Sequence, residues 1–499
     1  CGCDEHYGLV LFDKATEIFT SYRHDPGVPH SLGSDLVTDV YEDRAGAFWI
    51  GTVSGRIDKY DPQNQTIHLY QHNPAHPDSP VSLSDNVVPV ICEDRSGAIW
   101  LGTYNGLNRF DQTRGVFTRY RHNPDDPYSL PSLSVGSILE DTAGNFWLAS
   151  TKGPLCLMDR TTGRVLKQYS PPKDSPIYRY TQLIEDPDNP DILWTGTESN
   201  RGLARFDKSS ETFTYYPPDS VHPEKGPSMQ EVQLLLHDAA DAVIWIGSEW
   251  GGGLNRFDKA TEIFIHYIND PTNPDSISSN SATCFHQNTP GTLWIGTRGG
   301  GLEKFNTATG IFTHYAETCL IPSDVNKILE DDRGIFWLST NEGIVAFNTK
   351  TEKVERRYSK ADRLQGNKFF ANSGTKTRDG ELWFGGTSGV NRFHPDKLSL
   401  NPYIPPVVII SLTQGGELMP GIEKNANAVR EIRLNWRQNY FEFEFAALNY
   451  RLPEKNQYKY KLEGFDKAWY AAGTKRYGKY TGLPGGAYTL RILGSNNDG

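Results

Sequence analysis

The chain reads IWIGSEWGGGLNRFD from Ile244 to Asp258, and this pattern returns along most of the sequence. The Trp position recurs seven more times, with the following Gly-Thr and Gly-Leu kept to varying degrees, at Trp49, Trp100, Trp147, Trp194, Trp294, Trp337 and Trp383. Successive copies lie 51, 47, 47, 51, 49, 43 and 46 residues apart. A repeat of roughly 40 to 50 residues made only of strands is typical of one four-stranded blade of a β-propeller.

One repeat, residues 34–72, can be divided at its turns. Alternating and β-branched residues predict four antiparallel strands, at 37–41, 48–52, 56–60 and 66–70. Gly46 supplies the positive φ of the tight turn between the first two strands. The linker to the next repeat is long and rich in Pro, Asp and Ser, because it must run from the outer strand of one blade to the inner strand of the next.

The composition excludes several classes of protein. The 47 Gly, 12% aromatic residues and only 3 Met in 499 residues suit short strands joined by tight turns. A net charge of −11 leaves no basic surface for a nucleic-acid partner. No run approaches the ~18 apolar residues of a membrane helix, so we expect no membrane contact by this segment itself. The six cysteines have no framework or metal-ligand spacing and are expected to be free and packed.

The repeat resembles a known family. Its unit is Glu-Asp-x-x-Gly-x-x-Trp-(Ile/Leu)-Gly-Thr-x-x-Gly-Leu-x-x-Phe-Asp, with a His-Asn-Pro-x-x-Pro-x-Ser-Leu linker, and it is similar to the two-component regulator propeller repeat over about residues 1–400. From about Pro405 the period ends, and alternating strands at 441–445, 458–462 and 488–492 are typical of a β-sandwich. The Tyr-rich segments there resemble the immunoglobulin-like domain that follows the propeller in bacterial sensor proteins.

The blade count predicts how the propeller closes. The last repeat, 369–393, supplies only three strands, and we expect the strand at 66–70 to complete it, giving seven blades from Trp100 to Trp383. The predicted fold is all-β, with domains at 1–63 (part of a preceding propeller), 64–400 (the seven-bladed propeller) and 401–499 (an incomplete immunoglobulin-like sandwich). The alternative is an eight-bladed ring closed by the strand at 16–22. The parent protein is expected to extend beyond both ends.

Several motifs that could indicate chemistry have structural interpretations. The Glu-Asp-x-x-Gly-x-x-Trp turn resembles the Asp box of sialidases, but that element is a structural hairpin. His24, His72 and His122 recur at the same turn of separate blades and are predicted to cap turns rather than hold a metal. The segments 186–191 and 270–275 could offer oxygens to calcium, but Asx turns account for them. With no catalytic or nucleotide motif, we expect neither an enzyme nor a cofactor.

The candidate ligand site follows from the propeller geometry. The loops between the second and third strands of each blade share one face with the linkers that enter each first strand, and these loops differ most between repeats. Aromatic rings there could stack on sugars, and Arg or Lys could hold a carboxylate or sulfate. The candidate residues are Tyr104, Lys152, Glu198, Arg201, Trp250, Arg298 and Asn341. Alternatively, these loops are ordinary solvated loops and the site lies on the preceding propeller or at its junction.

The family resemblance implies a function. Such chains are periplasmic, ligand-sensing segments of transmembrane two-component regulators that signal to a cytoplasmic histidine kinase, often in response to glycans. The expected partners are a small molecule or oligosaccharide and, in the full-length membrane protein, a second copy of the chain. The segment alone is expected to be monomeric or weakly dimeric. The alternatives are a propeller enzyme, such as a glycosidase or lyase, and a secreted binding scaffold.

Overall fold

A computed structural model describes residues 8–14, 17–25, 31–62, 66–150, 153–170, 179–198, 200–238, 240–398, 400–419 and 430–499. These residues form two compact units: Thr66–Lys397, and Cys1–Gln65 together with Leu398–Gly499. Almost all of the regular structure is β-strand, as predicted.

The strands are numbered in chain order. The first are β1 (Leu9–Asp13), β2 (Ile18–Tyr22), β3 (Val37–Glu42), β4 (Phe48–Thr52), β5 (Ile57–Tyr60) and β6 (His68–Tyr70). The next are β7 (Val90–Glu93), β8 (Ile99–Thr103), β9 (Gly106–Asp111), β10 (Val116–Tyr120), β11 (Val135–Glu140), β12 (Phe146–Ser150), β13 (Leu155–Asp159), β14 (Arg164–Tyr169), β15 (Arg179–Glu185), β16 (Ile192–Glu198), β17 (Leu203–Asp207), β18 (Thr212–Tyr216), β19 (Leu234–His237) and β20 (Val243–Gly247).

The remaining propeller strands are β21 (Leu254–Asp258), β22 (Ile263–Tyr267), β23 (Ala282–Thr289), β24 (Thr292–Thr297), β25 (Gly301–Asn306), β26 (Ile311–His314), β27 (Val325–Glu330), β28 (Ile335–Thr340), β29 (Gly343–Asn348), β30 (Lys353–Tyr358), β31 (Phe369–Lys376), β32 (Leu382–Gly386) and β33 (Val390–Phe393). The C-terminal strands are β34 (Val407–Gln414), β35 (Glu417–Leu418), β36 (Phe441–Ala447), β37 (Tyr458–Glu463), β38 (Tyr470–Gly473), β39 (Tyr477–Tyr480) and β40 (Thr489–Gly494). Short helical turns are α1 (Ala316–Cys319) and 3-10 turns at Pro223–Lys225, Lys360–Asp362, Pro395–Lys397 and Pro453–Lys455.

Within its described residues, Thr66–Lys397 folds into a seven-bladed propeller of four-stranded antiparallel sheets. Blades one to six are consecutive, from β7–β10 to β27–β30, and blade seven combines β31, β32 and β33 with β6. The innermost strands β7, β11, β15, β19, β23, β27 and β31 each contact the next, and β31 contacts β7, so the ring is closed. The seven-bladed prediction is confirmed.

The ring is closed by a strand from the start of the unit. β6 pairs antiparallel with β33, with Tyr70 opposite Val390 and His68 opposite Arg392. This is the pairing predicted for the strand at 66–70. The eight-bladed alternative is wrong, because β2 pairs with β1 instead of closing a blade of the ring.

In six of the eight hairpins that carry the repeated Trp, its side chain makes a hydrogen bond within the hairpin. A carboxylate oxygen of the turn Asp accepts the indole Nε1–H at distances of 2.8–3.1 Å in the pairs Asp43–Trp49, Asp94–Trp100, Asp141–Trp147, Asp186–Trp194, Asp238–Trp245 and Asp331–Trp337. The Asp also accepts backbone N–H groups of its own turn, as Asp94 does from Ser96 and Ala98. The Asp-box-like motif therefore links a turn by a hydrogen bond to the Trp side chain of its own hairpin.

The linkers use local polar contacts, as expected. The Nδ1 atoms of His24, His72 and His122 bond to the carbonyls of Leu32, Leu83 and Leu130 at 2.6, 2.8 and 2.6 Å, respectively, so the three histidines cap separate turns. The two acidic segments contain Asx turns: Asp186 Oδ1 accepts the Asp188 amide at 2.9 Å, and Asp270 Oδ1 accepts the Thr272 amide at 2.9 Å.

The second unit contains two small sheets and a β-sandwich. Strands β1 and β2 form a hairpin, and β3, β4 and β5 form a three-stranded sheet. The sandwich has one sheet in the order β35-β34-β36-β39 and another in the order β38-β37-β40. Phe441, Phe443 and Phe445 are buried in its core, while Glu442 and Glu444 between them are not, which confirms the predicted alternation.

Residues before Gln65 share this unit with the sandwich residues, and Lys59 Nζ donates to the carbonyl of Arg451 at 2.5 Å. The three-domain division remains a prediction. Cys92, Cys156, Cys284 and Cys319 are free thiols, whereas Cys1 and Cys3 lie outside the described residues. No described helix has the length and apolar character needed to cross a membrane.

Candidate functional site

The loops at one end of the propeller surround a cavity of about 1010 Å³. Its walls come from hairpins between second and third strands and from the linkers that enter the first strands, and together they involve six of the seven blades. This volume is at the upper end of the range usual for ligand pockets. The cavity is therefore large enough for a small molecule or a short oligosaccharide.

Five of the seven predicted residues line the cavity: Tyr104, Glu198, Trp250, Arg298 and Asn341. Arg201 does not, because its guanidinium lies over the ring of Tyr215 on the outermost strand β18, with 4.9 Å between the guanidinium carbon and the ring centroid. The expectation that Arg201 faces the ligand region is corrected here. Lys152 lies outside the described residues.

The linkers that enter the first strands, together with the first residues of those strands, contribute residues that the sequence analysis did not single out. Arg179, Glu231, Gln233, Lys368 and Phe370 all line the cavity. The same geometry that selected the hairpin loops also placed these linkers on the same face. Applying the same reasoning to the residues just before and at the start of each first strand would have found them.

Two exposed aromatic side chains stand on the wall of the cavity. Trp250 is 65% exposed and Tyr104 is 44% exposed. The edge of Tyr104 meets the ring of Phe370, with 6.2 Å between centroids. The Trp250 loop passes through Gly252, where φ is +92° and an added Cβ would lie 2.6 Å from the Met229 Cβ. Only glycine fits there, so the backbone holds the indole at the rim.

Four of the charged side chains in the cavity form two ion pairs. Arg179 Nη1 lies 3.1 Å from Glu198 Oε1, between opposed residues of β15 and β16. Arg298 Nη2 lies 2.6 Å from Glu249 Oε2 and joins the hairpin loops of blades five and four, and its guanidinium carbon is 5.5 Å from the Trp250 ring centroid. Burial raises the pKa of Glu231 above its ordinary value, and the neighbouring carboxylates Glu198 and Glu249 add to the rise.

The axial channel narrows beneath the cavity. A second cavity of about 80 Å³ adjoins it, lined mainly by the innermost strands. Strand β31 bulges there, since its pairing with β32 jumps from Phe369↔Gly386 to Gly374↔Phe384. The bulge carries Asn372, which accepts from Lys327 Nζ at 2.7 Å and donates to Gln182 Oε1 at 3.0 Å. These bonds join blades six, seven and three, so the site is a cup rather than an open tunnel.

Among the described residues, no group of three or more His, Cys, Asp or Glu side chains is placed to hold a metal ion. The cup offers aromatic faces, paired charges and side-chain amides instead. Fold and site together define a propeller with a ligand-sized cup, followed in the sequence by a β-sandwich.

Two families match the sequence. The two-component regulator propeller matches residues 31–54 and 82–105, and the Y_Y_Y domain matches residues 449–499. The chain therefore carries two-component regulator propeller repeats followed by a Y_Y_Y domain, as its repeat and Tyr-rich segments predicted.

Known proteins are similar along nearly the whole chain. Histidine kinase P4 of Formosa agariphila is 24% identical over 98% of this chain and 32% of its own length. The extracellular domain of BT3049 from B. thetaiotaomicron, assigned to a hybrid two-component system, matches with a TM-score of 0.79 and 25% identity, over 98% of this chain and 63% of that one. The extracellular domain of BT4673 from the same organism shares the fold, with a TM-score of 0.54 and 22% identity over 97% of this chain and 63% of that one. The chain thus spans less than two thirds of these solved chains and about a third of the kinase.

Proposed function

We propose that this chain is an extracytoplasmic, ligand-sensing segment of a transmembrane two-component regulator and that an oligosaccharide binds in the propeller cup. The observation that carries the proposal is the cup itself, about 1010 Å³ in volume, with Trp250 and Tyr104 exposed on its wall. Flat aromatic faces suit the apolar faces of sugar rings, and the surrounding amides and paired charges suit their hydroxyl groups.

Calorimetric titration of an oligosaccharide panel tests the proposal. Trp250→Ala should weaken binding at least tenfold, since it removes the most exposed ring of the cup. Trp436→Ala is the matched control, because Trp436 is 80% exposed and belongs to the sandwich unit. Binding that is unchanged in Trp250→Ala and in Arg298→Ala would exclude this face as the site.

The relatives support the regulatory part of the proposal. BT3049 is assigned to a hybrid two-component system and the similar domain is extracellular, whereas the Formosa agariphila relative is a histidine kinase. We infer a periplasmic location and a kinase in the parent protein outside this segment. Reading the parent gene past Gly499 tests this: a membrane helix followed by a kinase is expected, and a stop codon would favour a secreted scaffold.

Signalling through the membrane is proposed to use a homodimer of the full-length protein. The segment alone should be monomeric or weakly dimeric. Light scattering at micromolar concentration checks this, and a tight dimer without ligand would contradict it.

A propeller glycosidase or lyase is the alternative. Glu198, Glu231, Glu249 and Asp324 all line the cup. Two of them, Glu198 and Glu249, are held by arginines, which does not suit a free acid and base acting on one bond. Incubation with the same panel, followed by product analysis, separates the two functions, since a sensor leaves the saccharides intact.

A further inference from the structure

The two guanidinium groups of the cup already have carboxylate partners. Arg179 is paired with Glu198, and Arg298 is paired with Glu249 and also covers part of Trp250. A carboxylate or sulfate on a ligand would have to displace a partner that is part of the wall. Displacing Glu198 or Glu249 leaves that carboxylate without its arginine partner, which opposes the exchange.

The remaining charges also disfavour an anion. Four acidic residues line the cup (Glu198, Glu231, Glu249 and Asp324) against three basic ones (Arg179, Arg298 and Lys368), which leaves one net negative charge. Glu231 has no hydrogen bond or ion pair within the described part of the chain. Burial raises the pKa of Glu231, and Glu198 and Glu249 add to the rise while Arg179 opposes it.

Neutral hydroxyl groups meet suitable partners in the same cup. The side-chain amides of Gln230, Asn326 and Asn341 lie on its wall. Their N–H groups can donate to ligand hydroxyl oxygens, and their carbonyl oxygens can accept from ligand hydroxyl groups. Hydroxyl groups can both accept from such donors and donate to the carboxylates.

We propose that the cup selects an uncharged oligosaccharide and disfavours uronic-acid and sulfated ones. This rests on the proposed function and names the class of saccharide that the same site takes. It replaces the expectation that Arg298 holds a carboxylate or sulfate group.

The test uses matched pairs of oligosaccharides that differ only in charge. Oligogalacturonides are compared with their methyl esters, and sulfated chondroitin oligosaccharides with desulfated, carboxyl-methylated ones. For any backbone that binds, calorimetry should give at least tenfold tighter binding of the uncharged member. Its affinity should also change little between low and high salt.

A charge variant makes the test specific to the cup. Glu231→Gln should strengthen binding of the acidic member severalfold. It should change the affinity for the neutral member by no more than about twofold. Glu317→Gln, an exposed glutamate outside the cup, is the matched control and should change neither. Tighter binding of the acidic member by the wild type would overturn the selectivity while leaving oligosaccharide sensing intact. If no member of these pairs and no oligosaccharide of the wider panel binds, the proposed function fails and the selectivity falls with it.

Discussion

The side chain of Asn372 donates to Gln182 Oε1 at 3.0 Å and thereby joins the innermost strand of blade seven to that of blade three. Gln182 Oε1 also accepts the backbone amide of Leu235 in blade four at 3.0 Å. Most contacts between the innermost strands join neighbouring blades around the ring, although β23 of blade five also contacts β31 of blade seven. This bridge therefore couples non-adjacent blades at the narrow end of the cup.

The bridge predicts an energetic coupling across the propeller. Asn372→Gly and Gln182→Ala should each destabilise the protein, and their effects should be non-additive by about 0.5–3 kcal/mol in a double-mutant cycle. Glycine is chosen because Asn372 has a φ of 54°, where alanine would be strained. Urea denaturation gives the free energies of unfolding. Gln230→Ala replaces Gln182→Ala in the control cycle, and additivity in both cycles would contradict the bridge.

Ring closure depends on Tyr70. Its ring stacks on Trp383 of the closing blade with an interplanar angle of 6°, and it also contacts Phe110 and Phe117 of blade one. Tyr70→Ala should reduce the free energy of unfolding by about 3–5 kcal/mol. Because β6 has only three residues, hydrogen exchange should accelerate first in β6 and β33. Tyr120→Ala, the equivalent change in blade one, is the control and should leave those two strands protected; equal acceleration in both variants would exclude a special role in closure.

Blade five contains a buried contact between a glutamate and a histidine. Glu303 is fully buried, accepts from the Ser278 hydroxyl, and lies 2.5 Å from His314 Nδ1. His314 Nε2 bonds to the carbonyl of Pro274 at 2.9 Å. The Pro274 carbonyl only accepts, so Nε2 carries a hydrogen, and a second hydrogen is shared between Nδ1 and the Glu303 carboxyl group. Burial raises the pKa of Glu303; burial alone would lower the pKa of His314, but the Pro274 carbonyl and Glu303 outweigh it and raise it.

This contact predicts a loss of stability as pH rises. A histidine whose pKa is higher in the folded than in the unfolded protein stabilises the fold. This stabilisation is complete below the unfolded pKa of about 6.5 and is lost as pH rises through the folded pKa. Denaturation between pH 5.5 and 8.5 should show this decline. His314→Gln should abolish it and cost about 1–3 kcal/mol at pH 6, because Glu303 loses a partner.

The control restores the side chain found in other blades. Asn108 and Asn255 occupy the position of Glu303 and accept linker amides there. Glu303→Asn combined with His314→Gln should recover most of the stability at pH 6 without the pH dependence. A decline with pH that persists in His314→Gln would assign the effect to another group.

Blade seven lacks the turn aspartate. Thr377 stands six residues before Trp383, and the buried Nε1–H of Trp383 has no acceptor among the described residues. Thr377→Asp should supply the acceptor found in six other hairpins and raise the free energy of unfolding by about 1 kcal/mol. Thermal denaturation compares it with Thr377→Val, which offers no acceptor; equal melting temperatures for the two variants would contradict the prediction.

The sequence alone determined the blade architecture, because the interactions that build a blade are local. The Asp–Trp bond spans six to eight residues, and the His–Leu contacts lie within one linker. Most repeats therefore display the same signals in the same order, and counting them gave seven blades and the strand at 66–70 that closes the ring. The same division into blades and strands predicted which loops share one face of the propeller.

Only the tertiary structure decided which charged side chains on that face form ion pairs and which of them line the cup. Glu249 and Arg298 are 49 positions apart, and Asn372 and Gln182 are 190 apart, so no local pattern relates them. Arg201 belongs to a loop of the predicted face, yet its guanidinium lies on Tyr215 and away from the cup. Residues on different blades become neighbours only when the ring closes. Side-chain pairs between blades therefore cannot be read from the sequence.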